Sequence, residues 1–147
     1  MLRLTPTQRA YLAGFLDGDG SVYVRAKPNS SYRFGFQIAP YIVLFQSAKD
    51  KEKFKRVYEL IQVGALRERK DGILEYVIQR AEAIQTFARL VRPYVLMKRE
   101  QLMLLEQIIE QKVKVENESD YKRLLDLVDK FRDLNYSKKR KRRTMTP

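Results

Sequence analysis

The sequence predicts an α+β domain with elements in the order αββαββα, followed by further helices at the carboxyl end. Three observations carry that reading. A capped helix opens the chain, two pairs of alternating segments are each joined by turn residues, and the stretch after residue 80 reads as amphipathic helix. With 147 residues, 44% of them hydrophobic, the chain suits one domain of ordinary size. That domain is expected over residues 1–137, with a short basic tail over 138–147.

Thr5-Pro6-Thr7-Gln8 is a helix start: Thr5 serves as N-cap, Pro6 suits the first helical position and Gln8 completes a capping box. The helix is expected to run to about Leu16. At 3.6 residues per turn, Leu12, Phe15 and Leu16 share one side with Tyr11 at its edge, while Ala10, Ala13, Gly14 and Asp17 share the other. The bulky side is expected in the core. The small side would let another backbone approach closely, and a helix from a partner subunit is its natural occupant.

Residues 21–27 alternate, with Val22, Val24 and Ala26 inward and Tyr23, Arg25 and Lys27 outward. Pro28-Asn29-Ser30-Ser31 reads as a turn, and Tyr32 to Phe45 as a long strand carrying Phe34, Phe36, Ile38, Ile42 and Leu44 on its core side. Ser47 is expected to cap a helix reaching Gln62, with Phe54, Val57, Tyr58 and Ile61 buried. A second hairpin follows, Leu66 to Lys70 and Ile73 to Ile78 around Asp71-Gly72. Helices are then expected over 81–92, 94–112 and 119–134, with Pro93 separating the first two and Ser119 capping the last. The four strands should form one antiparallel sheet with helices on one face and a polar, basic second face.

Lysine and arginine number 30 against 18 acidic residues, a net charge of +12. Such an excess points to a polyanionic partner, most often nucleic acid. Cysteine and histidine are absent, which excludes disulfides, zinc fingers, a thiol nucleophile and an imidazole base. Hydrolytic chemistry would fall to carboxylates, hard cations such as Mg²⁺, and Lys or Gln support. The longest uncharged stretch, Phe34 to Ala48, falls short of the roughly 20 apolar residues of a bilayer span. The amino end lacks a signal-peptide pattern. No membrane partner and no organic cofactor are expected.

The outward face of the first hairpin offers Arg25, Lys27, Asn29, Ser31, Tyr32, Arg33 and Gln37, and that of the second Arg67, Arg69 and Glu75. These side-chain types read base edges: Arg or Lys to guanine, Asn or Gln to adenine, Glu to cytosine. A strand rises about 3.4 Å per residue, close to the spacing of successive phosphates on one DNA strand. Ser137, Lys138, Lys139, Arg140 and Lys141 at the tail are a further candidate for phosphate contacts.

Asp17 and Asp19, each followed by glycine, end the opening helix, where cations rather than carboxylates are favoured. A calcium loop beginning at Asp17 fails, because its twelfth position would be Pro28 instead of a bidentate glutamate. A divalent cation beside Asp19 would relieve both the unfavourable helix end and the repulsion between carboxylates. One such carboxylate is too few for a phosphodiesterase, and pairing the small faces of two subunits would bring two copies together.

Leu12-Ala13-Gly14-Phe15-Leu16-Asp17-Gly18-Asp19-Gly20 resembles the signature of the LAGLIDADG homing endonucleases. The likeness extends over nearly the whole chain through "KPNSSY" at 27–32, "VGALRER" at 63–69 and "LNYSKKRK" at 134–141. It is greatest to the single-motif, homodimeric enzymes of green-algal chloroplast ribosomal-RNA introns. The resemblance implies a LAGLIDADG fold whose sheet is a DNA-binding saddle, motif helices packed at a dimer interface, and Asp19 as the metal-binding carboxylate with the Gly18 carbonyl as a further ligand. It also implies Gln46 positioning active-site solvent and Lys98 supporting the attacking water. Where relatives carry an active-site arginine this sequence has Asp50, flanked by Lys49 and Lys51.

The implied function is a site-specific, Mg²⁺-dependent double-strand cut in a long pseudo-palindromic target such as an intron-less ribosomal-RNA gene, leaving 3′ overhangs. Mn²⁺ would substitute, and Ca²⁺ would bind without supporting cleavage. An RNA maturase or a non-cleaving DNA-binding relative on the same fold is the alternative, disfavoured by the intact Asp19. The implied compartment is the chloroplast, with the mitochondrion or a bacterial cytoplasm as alternatives.

Overall fold

The computed structural model describes residues 3–135, which hold five α-helices and four strands. The opening helix, α1 (Pro6–Asp19), begins as its sequence dictates. The Gln8 N–H donates to Thr5 Oγ1 at 3.2 Å, and the Thr5 N–H donates to Gln8 Oε1 at 3.0 Å. Such a cap is worth about 1 kcal/mol, whereas burying each of Leu12 and Leu16 completely is worth about 1.5–3 kcal/mol. Burial therefore decides which way the helix faces. α1 runs one turn further than expected, and the Gly20 N–H closes it on the Leu16 carbonyl.

Strands β1 (Gly20–Pro28), β2 (Phe36–Ser47), β3 (Ala65–Glu68) and β4 (Ile73–Ile78) form one sheet in the order β1-β2-β4-β3. β2 pairs antiparallel with β4 from Ile42↔Ile78 to Ser47↔Ile73, and β3 pairs antiparallel with β4 from Ala65↔Val77 to Glu68↔Leu74. The chain divides into two compact units, the described parts of Met1–Val22 with Tyr41–Arg99 and of Tyr23–Pro40 with Glu100–Pro147.

In the first unit, Ile42, Leu44, Leu74, Tyr76 and Ile78 of the sheet are buried together with Leu12 and Leu16 of α1. The helices α2 (Lys51–Ile61) and α3 (Ala81–Val91) bury Phe54, Val57 and Ile61, and Ile84, Phe87, Ala88 and Val91. Phe15 of α1 stacks on Phe54 at 5.7 Å between ring centroids. Tyr58 was expected in the core but is exposed, with its ring edge-to-face against Tyr76 at 5.7 Å. The Ser47 hydroxyl accepts from the Lys49 N–H and starts a single 3₁₀ turn over 48–50, after which α2 begins. Beyond α2, Gly64 has φ 96°, and a Cβ there would lie 2.5 Å from the Val77 carbonyl, so only glycine fits the entry to β3.

In the second unit, Val24 and Ala26 of β1 and Phe36 and Ile38 of β2 are buried. So are Leu102, Leu105 and Ile108 of α4 (Arg99–Val113) and Tyr121, Leu124, Val128 and Phe131 of α5 (Glu118–Leu134). The Tyr121 hydroxyl donates to the Phe36 carbonyl at 3.0 Å and Lys112 Nζ donates to the Ile38 carbonyl at 2.8 Å.

Other expected boundaries shift as well. Residues 32–35 are turn, not strand, because the Gly35 N–H bonds back to the Tyr32 carbonyl with φ 83° at Gly35. Residues 94–98 precede α4 instead of belonging to it. Asn117, not Ser119, caps α5, with its Oδ1 accepting from the Asp120 N–H at 2.8 Å.

Tyr76 is buried, its hydroxyl has no partner within hydrogen-bond distance and angle among the described residues although the Val63 main chain lies near it, and burial raises its pKa. The unfolded chain ionises first, so this tyrosine's contribution to stability is complete below about pH 10 and declines as the pH rises beyond it. Tyr76→Phe should therefore be neutral or stabilise by up to about 1 kcal/mol in urea unfolding at pH 7, with a larger advantage at pH 11.

Candidate active site and nucleic-acid interface

The last turn of α1 brings two carboxylates to a helix end, and the two have different surroundings. Asp17 is half-buried and accepts three main-chain N–H groups: Leu96 and Met97 donate to Oδ2 at 2.8 and 3.2 Å, and Lys98 donates to Oδ1 at 3.1 Å. The Lys98 ammonium in turn donates to the Asp17 carbonyl at 2.7 Å. This clasp holds residues 96–98 out of helix, which is why α4 starts at Arg99. Asp19, two residues on, is exposed.

The motif glycines also differ. A Cβ at Gly20 would lie 2.6–2.8 Å from Leu16 atoms, so this position is needed to leave the helix tightly. At Gly14 and Gly18 a Cβ would meet nothing within 4 Å, so nothing within the described chain requires glycine there. Ala10, Tyr11, Gly14 and Gly18 are exposed. Ala13 departs from expectation: it is completely buried beside Leu12, so it lies in the protein's own core and not on the open face. Asp17 is half-exposed and is engaged within its own chain by the 96–98 segment. That segment carries two of the most exposed apolar side chains, Leu96 at 82% and Met97 at 77%.

Gln46, on the same unit, lies near the end of β2 opposite Leu74. Its Oε1 accepts from the Ser47 N–H at 2.9 Å, which leaves the amide NH₂ as the donating end. Lys98 Nζ has three donors, of which the Asp17 carbonyl takes one. Asp50 pairs with Lys53 at 3.6 Å and Lys51 with Glu68 at 3.9 Å, both at the exposed surface where such pairs are worth little.

A divalent ion fits Asp19 by donor chemistry. The carboxylate and the carbonyls of a helix C-terminus are hard oxygen donors carrying negative charge. Among the described residues no group of three or more acidic side chains forms a complete metal cage, so Asp19 and the Gly18 carbonyl would be a partial ligand set.

On the second hairpin, Arg67 lies directly across from Glu75 and forms an ion pair with it, while Arg69 reaches Glu75 at 3.6 Å and Asp71 at 2.7 Å. Glu75 is expected to read bases, but its side chain is only 12% exposed beneath these arginines. It pairs with the two guanidinium groups.

On the first hairpin, Arg25, Ser31 and Tyr32 are exposed, and Lys27, Asn29 and Gln37 are half-buried on the outward register. The Arg25 guanidinium lies over the Tyr23 ring at 5.4 Å. Asn29 Oδ1 accepts from both the N–H and the hydroxyl of Ser31, which shapes the turn. Arg33 lies in the turn rather than a strand; it donates to the Glu116 carbonyl at 3.0 Å and covers Phe34, which stacks on Tyr121. Ser137, Lys138, Lys139, Arg140 and Lys141 lie outside the described residues.

The role of Asp17 had no sequence signal, since its partners are main-chain groups some 80 positions away. An α+β fold with a helix that ends on paired carboxylates and a hairpin that carries arginines is of a kind with nucleases and nucleic-acid-binding proteins. The LAGLIDADG endonuclease family model matches residues 12–108, and the chain belongs to that family. It is 32% identical to DNA endonuclease I-CreI of Chlamydomonas reinhardtii over 132 residues, 89% of this chain and 80% of that one. It is 31% identical to DNA endonuclease I-CvuI of Chlorella vulgaris over 134 residues, 89% of this chain and 81% of that one. The fold matches crystal structures of I-CvuI bound to its target in 2 mM Ca, with TM-score 0.84, 27% identity and coverage of 96% and 88%. It also matches I-CvuI on the I-CreI target in 2 mM Mg, uncleaved, with TM-score 0.83, 28% identity and coverage of 94% and 86%.

Proposed function

We propose that the protein is a homing endonuclease that works as a symmetric pair of chains and hydrolyses both strands of a long, near-palindromic DNA site. The observation that carries this reading is the motif helix: an exposed Asp19 at its end, and Gly14 and Gly18 open to an approaching backbone. A second α1 is the partner that uses both features, since it would set two Asp19 carboxylates side by side. Leu96 and Met97 supply apolar surface for the same contact.

Asp19 and the Gly18 carbonyl would hold a divalent ion, with Mg²⁺ proposed as the working metal, Mn²⁺ as a substitute and Ca²⁺ as a non-cleaving occupant. Such an ion supplies charge stabilisation at the phosphate and a more acidic water. Gln46, whose NH₂ is its donating end, would help to position active-site solvent, and Lys98 would offer its remaining ammonium protons to the developing charge. The arginines held by Glu75 and the outward residues of the first hairpin contact the duplex. Each chain cuts one strand, and the offset of the two cuts leaves 3′ overhangs. An intron-less ribosomal-RNA gene of a chloroplast is the proposed target, supported by the algal relatives.

Two variants test this reading. Asp19→Asn should abolish Mg²⁺-dependent cleavage in a selection on near-palindromic target libraries, while DNA affinity in Ca²⁺ stays within about threefold; surviving cleavage would remove Asp19 from the chemistry. Gly14→Leu should keep the far-UV spectrum, since a Cβ there meets nothing within 4 Å among the described residues, yet shift sedimentation from dimer to monomer. An unchanged sedimentation profile would refute the helix-pair interface.

A further inference from the structure

We propose that Asp17 is the positioning residue for Lys98. The inference rests on the endonuclease reading above and assigns the motif's first carboxylate a role in it. Four hydrogen bonds join the two residues and their neighbours in opposite directions: three main-chain N–H groups donate to the Asp17 carboxylate, and the Lys98 ammonium donates to the Asp17 carbonyl.

The geometry makes this more than a loop anchor. A lysine side chain is a flexible four-carbon stem that loses much of its conformational freedom when its charge is held at one place. Here the backbone at Lys98 and the tip of its side chain are both fixed to one residue of α1. The ammonium is thereby tied to the same helix turn that carries Asp19, so that any movement of that helix end moves both groups together. The carboxylate is needed because residues 96–98 precede α4 and have no helical partners for these N–H groups. The ammonium also offsets the partial negative charge of the helix end.

A purely structural anchor and a positioning residue make different predictions. The test is a double-mutant cycle with Asp17→Asn, an isosteric change, and Lys98→Met, measured as single-turnover cleavage at saturating DNA and Mg²⁺. Asp17→Asn should slow cleavage at least tenfold with DNA affinity changed less than threefold. The double variant should be no more than about twofold slower than Lys98→Met alone, because both changes remove the same function. A double variant as slow as the product of the two single effects would overturn the proposal. Asp17→Glu, which keeps both oxygens, should recover part of the rate, and no recovery over Asp17→Asn would count against it.

A second readout needs neither metal nor DNA. In ¹⁵N-labelled protein the Lys98 ammonium should give a signal protected from water exchange, lost in Asp17→Asn while the far-UV spectrum is retained. A signal equally protected in both would overturn the proposal. Wild-type protein that fails to cleave any target, yet passes this readout, would instead refute the endonuclease reading and leave the positioning of Lys98 standing.

Discussion

A carboxylate at the C-terminal end of a helix opposes the partial negative charge of its own last carbonyls, at a cost of about 0.3–1 kcal/mol. The motif helix ends on two of them, and the local structure follows from how that conflict is resolved. For Asp17 the resolution is internal: hydrogen bonds to a charged group contribute about 1.5–3 kcal/mol each, and Asp17 accepts three. That total outweighs the unfavourable helix end, so the clasp also sets where α4 starts and where Lys98 sits. Asp19 has no such set of donors and is exposed, which makes it the group fitted to take an external cation.

The glycines of the motif divide along the same line. Gly20 is required by the chain itself, because any side chain would collide with Leu16. Gly14 and Gly18 meet nothing, and glycine in a helix interior costs roughly 0.5–1 kcal/mol relative to alanine. Nothing among the described residues offsets that cost, and close approach of another backbone is the return that the proposed pairing of two chains would supply.

Much of this was legible in the sequence. The capping box at Thr5, the alternation through β1, the hairpin turn at Asp71-Gly72 and the amphipathic helices all rest on local rules that the packing respects. The errors fell where a distant group decides the outcome. Residues 94–98 look helical by periodicity, but Asp17 claims the N–H groups of Leu96, Met97 and Lys98. Ala13 shares a helical face with Gly14 on a wheel, yet core packing takes it in. Glu75 has the chemistry to accept from cytosine, and its pairing with Arg67 across the ladder and Arg69 nearby is a feature that no local rule shows. Tyr32 and Arg33 fell within an expected strand until the positive φ of Gly35 turned the chain.

The central claim is that each chain carries half of a double-strand nuclease, one Asp19 to each strand. The most direct measurement joins a wild-type chain to an Asp19→Asn chain, purified as the mixed pair through two different tags, and follows supercoiled plasmid carrying the target. The account predicts that the mixed pair nicks one strand and yields open-circular DNA, while the wild-type pair linearises the plasmid. Linear product from the mixed pair at the wild-type rate would contradict it.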